Sequence, residues 1–160
     1  MKKVILYFGV VLSICSLYSN DTKLLSFPMA EGSGAHSIGG RGGRVIEVTN
    51  LNSSGVGSFR EACEASGKRV VVFRVGGTID LKGRDIIIDD DYITIAGQTA
   101  TGDGIQIKRG GLVIRANEVI IRYLRLRLGD VAVGGAVDAL SIGAPNRQER
   151  KKNIIMKTKK

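Results

Sequence analysis

The 160-residue sequence has no tryptophan, one histidine, two cysteines and two prolines, and aromatic residues make up only 5% of it. Each shortage removes a class of function. One histidine, His36, cannot build a histidine-based metal cluster, and it leaves a Ser/His/Asp triad a single candidate base with no nucleophile placed beside it. His36 reads as a turn or surface residue. Cys15 lies in an N-terminal apolar run, so a processed chain keeps only Cys63 and closes no internal disulfide. Cys63 falls in the apolar stripe of a helical segment and reads as a small core residue. There is no G-K-[ST] phosphate loop, and Gly32-Ser33-Gly34 lacks the third glycine and the preceding strand of a dinucleotide loop.

The longest apolar run, residues 4–17, is too short to cross a bilayer. It follows Met1-Lys2-Lys3 and gives way to polar Ser19-Asn20-Asp21-Thr22. That order is a secretory signal peptide, assigned to residues 1–19, and it implies a secreted or periplasmic protein without stable membrane insertion. A lipoprotein anchor at Cys15 is disfavoured by bulky Ile14 before it.

A net charge of +9 invites a nucleic-acid partner, but its distribution argues against one. Lys2 and Lys3 supply two of these charges, and residues 144–160, with seven basic residues and one acid, supply six. The body of the chain is near neutral. GGRGGR at 39–44 occurs once and runs straight into a strand-like segment, so it reads as a turn and not an RNA-binding box.

What is abundant is glycine, 22 residues, punctuating short β-branched runs. These are VIEV (45–48), VVVFRV (70–75), GTIDL (77–81), DIIID (85–89), ITIAG (93–97), GIQIK (104–108), LVIRA (112–116), EVIIRYLRLRL (118–128) and DALSI (138–142). Such spacing excludes a helical bundle and predicts an all-β fold. One run breaks phase: Val119 and Ile121 share a face, whereas Leu124, Leu126 and Leu128 have the opposite parity. A corner near Arg122–Tyr123 restores a common inward face. Corners within nearly continuous strand, with Asp103-Gly104 the one hairpin-type dipeptide, fit a β-helix; a β-sandwich is the alternative. The one helix, SFREACEAS at 58–66, opens with the capping box Ser58/Glu61 and is placed to cover one end of the strand stack.

Asp89-Asp90-Asp91 lacks the alternating spacing of calcium ligands and reads as a solvated turn. Asp138 begins a strand after Gly134-Gly135, but one carboxylate does not supply the roughly 6–8 oxygens that calcium takes.

The ordered blocks FPMAEGSGAHSIGGRGGRVIEVTNLNSSGVGSFREA, VVVFRVGGTIDL, ITIAGQTATGDGIQI and VIIRYLRLRLGD resemble the N-terminal part of bacterial pectate lyases of polysaccharide lyase family 1, from about residue 27 to 142. The resemblance implies a right-handed parallel β-helix with a short N-terminal capping α-helix. It also implies secretion and calcium-dependent β-elimination of polygalacturonate. In that chemistry the C5 proton, α to a carboxylate, is removed by an arginine, and Ca²⁺ spreads the developing charge. An arginine base is unusual, since guanidinium is normally always protonated.

Carried over residue by residue, Asp138 matches a calcium ligand of the family, and Ala136 stands where some members carry another acid. The family continues with a strand ending in Asp-His, further acids and the catalytic arginine. Asn153-Ile154-Ile155-Met156 could open that strand, but Lys157-Thr158 stands where Asp-His belongs. Arg122, Arg125 and Arg127 match a family block and not the catalytic arginine, so no catalytic residue is assigned. The expected organisation is a signal peptide (1–19), the N-terminal part of a pectate-lyase β-helix (24–143) and an unstructured basic tail (144–160), the tail reading as a frameshift or premature end. The expected function is a truncated pectate lyase, inactive alone, that binds calcium only weakly through Asp138. A second polypeptide carrying the missing coils is one possible partner. The alternative is a non-enzymatic β-helix that binds polysaccharide at the cell surface.

Overall fold

A computed structural model describes residues 23–129, 138–143 and 154–157, the last four as backbone only. The proposed signal peptide and most of the proposed tail lie outside these residues. Eleven strands form three all-parallel sheets: β1 (Arg44–Val48), β2 (Arg69–Phe73), β3 (Gly77–Asp80), β4 (Ile86–Ile88), β5 (Ile93–Ala96), β6 (Ile105–Lys108), β7 (Leu112–Ile114), β8 (Val119–Arg122), β9 (Leu124–Arg127), β10 (Leu140–Ile142) and β11 (Ile154–Lys157). The sheet orders are β1-β2-β5-β8-β11, β3-β6-β9 and β4-β7-β10. β2 stacks directly on β1, and from β2 onward each strand stacks on the one three before it, so the chain winds through about four turns of a parallel β-helix.

The sequence pattern sets this up. Strands of three to five residues place alternate β-branched residues inward, and parallel stacking lays like on like. Val71, Ile95 and Ile121 form one ladder, Ile79, Ile107 and Leu126 a second, and Ile86, Leu112 and Leu140 a third. The central residues of these ladders, Ile95, Ile107 and Leu112, are fully buried, each worth about 1.5–3 kcal/mol relative to exposure. Ile154–Lys157 falls within the stretch read as a tail, and there it adds a further rung beside β8.

The corner expected in EVIIRYLRLRL is Tyr123, with φ +58° between β8 and β9. The expected helix is shorter than its sequence pattern: α1 spans Phe59–Glu64 and packs against β1 and β4, closing the first end of the interior. The Ser58 hydroxyl accepts from the Glu61 amide, as the capping box requires, while the Glu61 carboxylate reaches the amide of Gly57 at 2.7 Å instead of that of Ser58.

Arg69 completes the cap. It occupies the inward position that Ile93 holds in the next coil, yet it is fully buried. Its guanidinium donates to the carbonyls of Ala62, Cys63 and Gly67, satisfying the end of α1 that would otherwise face an apolar interior.

Residues 23–43 cross the outside of the sheet containing β5 and β8. Phe27, Ala30 and Ala35 cover Ile120, which points away from the interior and is buried nonetheless. Gly40 permits this crossing, because a Cβ there would lie 1.8 Å from the Arg69 carbonyl oxygen. GGRGGR is thus a turn, as read from the sequence, pressed against the backbone of β2.

Candidate functional site

Asp138 stands at the mouth of the sheet β4-β7-β10, two residues before β10. The register of that sheet pairs Leu140 with Leu112, and Leu112 with Ile86. Continuing it back one residue stacks Ala139 on Gly111 and Gly111 on Asp85. A Cβ at Gly111 would come within 2.8 Å of the Ala139 oxygen and 2.9 Å of the Asp138 oxygen, so the rungs close here only over glycine. The Asp138 side chain is exposed.

Asp85 shares this mouth, but its carboxylate accepts from the Gly111 amide at 2.7 Å, and the carbonyls of Arg84 and Asp85 accept from Arg60. Asp85 thus ties coil to coil. Among the described residues no group of three or more histidine, cysteine or acidic side chains is placed to hold a metal ion. Calcium takes about 6–8 oxygens, so Asp138 and its described surroundings do not by themselves fit the ion. Ala136, the position at which the resemblance implies a second acid in some family members, lies outside the described residues.

The other sequence candidates are apart from this mouth. Asp89, Asp90 and Asp91 face different partners: Arg115 at 3.9 Å, the Gly67 amide at 2.7 Å and the Asn117 amide at 2.7 Å. His36 is exposed. Cys63 is buried on α1, and burial pushes its thiol well above the ordinary range, as suits an inert core residue.

Two polar arrangements were not foreseen from the sequence. Asp80, at the end of β3, accepts a bidentate pair of bonds from Arg109, which chiefly holds its carboxyl at about 2, and lies 3.7 Å from Lys108. Arg122 stacks over Phe27, 4.3 Å from the ring centroid, and lies 5.2 Å from that of Tyr123. The lone clue in the sequence was the phase break between Arg122 and Leu124.

A stack of parallel coils with a helix-capped first end defines the molecule as a parallel β-helix. No family model matches the chain. It is similar to the probable pectate lyase C of Aspergillus fumigatus, with 45% identity over 139 residues, 86% of this chain and 32% of that protein. The probable pectate lyase C of Aspergillus terreus gives 45% over 136 residues, covering 84% and 32%. That of Emericella nidulans gives 46% over 120 residues, covering 74% and 28%. The chain spans about a third of the length of the curated relatives it matches. These relatives are fungal, which corrects the bacterial attribution made from the sequence blocks.

Proposed function

We propose that residues 24–143 form the N-terminal coils of a secreted pectate lyase whose whole-protein activity is calcium-dependent β-elimination of polygalacturonate. The observation that carries this reading is 45% identity to pectate lyases over 139 residues, coinciding with a stack of parallel coils. Residues 1–19 serve as the signal peptide, and the winding is right-handed, as nearly all parallel crossovers are. Calcium is a requirement of the whole protein. Asp138 offers it one carboxylate, and the remaining ligands and the arginine base come from coils beyond those described.

What these residues do is scaffold. The ladder of isoleucines and the α1 cap hold the mouth of β4-β7-β10 rigid, so that Asp138 is presented on a strand end instead of a free loop. An acidic polysaccharide is the substrate class. Incubating purified chain with polygalacturonate and calcium tests the reading. No unsaturated uronide should form, and calorimetry should find calcium binding no tighter than at an isolated surface carboxylate. Stoichiometric tight binding lost in Asp138→Ala, or sustained product from the chain alone, would overturn it.

A further inference from the structure

The corner between the sheets β2-β5-β8 and β3-β6-β9 is built differently in successive coils. From β5 to β6 the chain takes residues 97–104, whereas from β8 to β9 it takes Tyr123 alone. Gly97 packs directly on this tighter corner, where a Cβ would meet the Arg122 and Tyr123 oxygens at 2.5 Å. The longer connection therefore overhangs the shorter one and leaves a notch of about 230 Å³ beneath it. Arg125, Tyr123, Gln98 and Asp103 line it, with the bare backbone of Gly102 and Gly104.

The chemistry of the lining is specific. Arg125 makes no hydrogen bond or ion pair with the described residues, and its Nε is shut off from water without an acceptor. The sealed Nε, an orphan that Arg122 shares, is beyond a ligand's reach, so it is the terminal nitrogens of Arg125, which meet no acceptor among the described residues, that offer a carboxylate a bidentate partner. Asp103 on the rim forms no ion pair with it, and Arg127 follows two residues further along the outward face of the same strand. Tyr123 is held in the left-handed region, an unfavourable conformation for a bulky residue, beside the notch it lines. The exposed Gln98 amide and Asp103 carboxylate are suited to hydroxyl groups. The volume lies below the roughly 300–1,000 Å³ of pockets for drug-sized ligands, and it suits one sugar ring.

We infer that this notch is a calcium-independent subsite for a single uronate residue, with Arg125 taking the carboxylate and Gln98 and Asp103 the ring hydroxyls. It lies on a different corner of the coil from Asp138, so it grips the polymer away from the sheet mouth. The choice of uronate over other carboxylates rests on the pectate-lyase reading.

Trigalacturonate titrated calorimetrically into the 160-residue chain in EDTA tests the subsite without involving lyase chemistry. Saturable binding is expected, weakened about tenfold or more by Arg125→Gln and left within about twofold by Arg127→Gln further along the strand. Neutral trigalactose should bind at least about tenfold more weakly than trigalacturonate. Gln98→Ala, on the exposed loop, should also weaken binding, which keeps the test decisive if Arg125→Gln unfolds. No saturable binding, or equal binding by wild type and Arg125→Gln, would overturn the subsite. Competition by inorganic phosphate as strong as by trigalacturonate would overturn its assignment to a sugar. If the subsite fails, the lyase reading is still judged by its own product assay; if that reading fails, Arg125-dependent binding still stands.

Discussion

Ile121 and Leu124 lie three positions apart along the chain, an odd offset, yet both side chains are buried in the same interior, 5% and 2% exposed. In a flat strand they would point to opposite faces. The left-handed turn at Tyr123 shifts the parity, and the second strand re-enters the stack with Leu124 over Ile105.

Truncating either residue opens a cavity in the ladder. Ile121→Ala and Leu124→Ala should each cost about 2–5 kcal/mol in urea unfolding. Arg127→Ala, exposed on the same strand, should stay within about 0.5 kcal/mol. Equal effects at Leu124 and Arg127 would place the corner elsewhere.

Arg69→Met keeps an apolar stem of similar length but leaves the carbonyls of Ala62 and Cys63 without their donor. A loss on the order of 3 kcal/mol is expected, since hydrogen bonds to a charged group and the desolvation of abandoned acceptors both count. Arg69→Lys should recover only part, because one ammonium cannot reproduce the planar fork. Full stability in Arg69→Met would contradict the capping role.

Much of this fold could be read from the sequence. Every β-branched run became a strand within a residue or two, because parallel coils bury alternate residues and leave turns to glycine. The capping box located α1, and the phase break located Tyr123. The rest depended on what stacks on what. Tyr92 and Glu118 turn left-handed immediately before β5 and β8, at positions where glycine or asparagine would have been the readable signal. Arg69 looks like an ordinary surface arginine until the end of α1 is placed above it. The notch at Arg125 arises from unequal turns in adjacent coils, a relation that no local pattern encodes. At the candidate site, the position of Asp138 at a strand mouth was legible, but a role for its carboxylate came only from resemblance.

The Asp80–Arg109 pair should show itself in the pH dependence of stability. Asp80 titrates at about 2 in the folded chain, below the roughly 3.9 of an unfolded aspartate, with the Arg109 hydrogen bond as the leading cause. Its contribution is present above about pH 4 and is lost as pH falls through about 2. Asp80→Asn should therefore flatten the stability profile across that interval while changing little at neutral pH beyond a modest surface-pair loss. An unchanged acid limb in the variant would rule the pair out as a contributor.

Cys63 should resist thiol reagents in the folded chain. In a Cys15→Ser background, a chromogenic disulfide reagent should react with the thiol only as fast as the chain opens, and promptly in denaturant. Rapid labelling under native conditions would mean that α1 does not seal the end of the stack.

The central claim is that these coils belong to a pectate lyase, and a chimera tests it most directly. Residues 1–143 would be joined to the remaining length of the Aspergillus fumigatus relative, and soluble, folded product assayed on polygalacturonate by the ultraviolet absorbance of the unsaturated uronide. The account predicts calcium-dependent product formation that falls by about tenfold or more in Asp138→Asn. A folded chimera that releases no unsaturated product, or one indifferent to both calcium and Asp138→Asn, would contradict it.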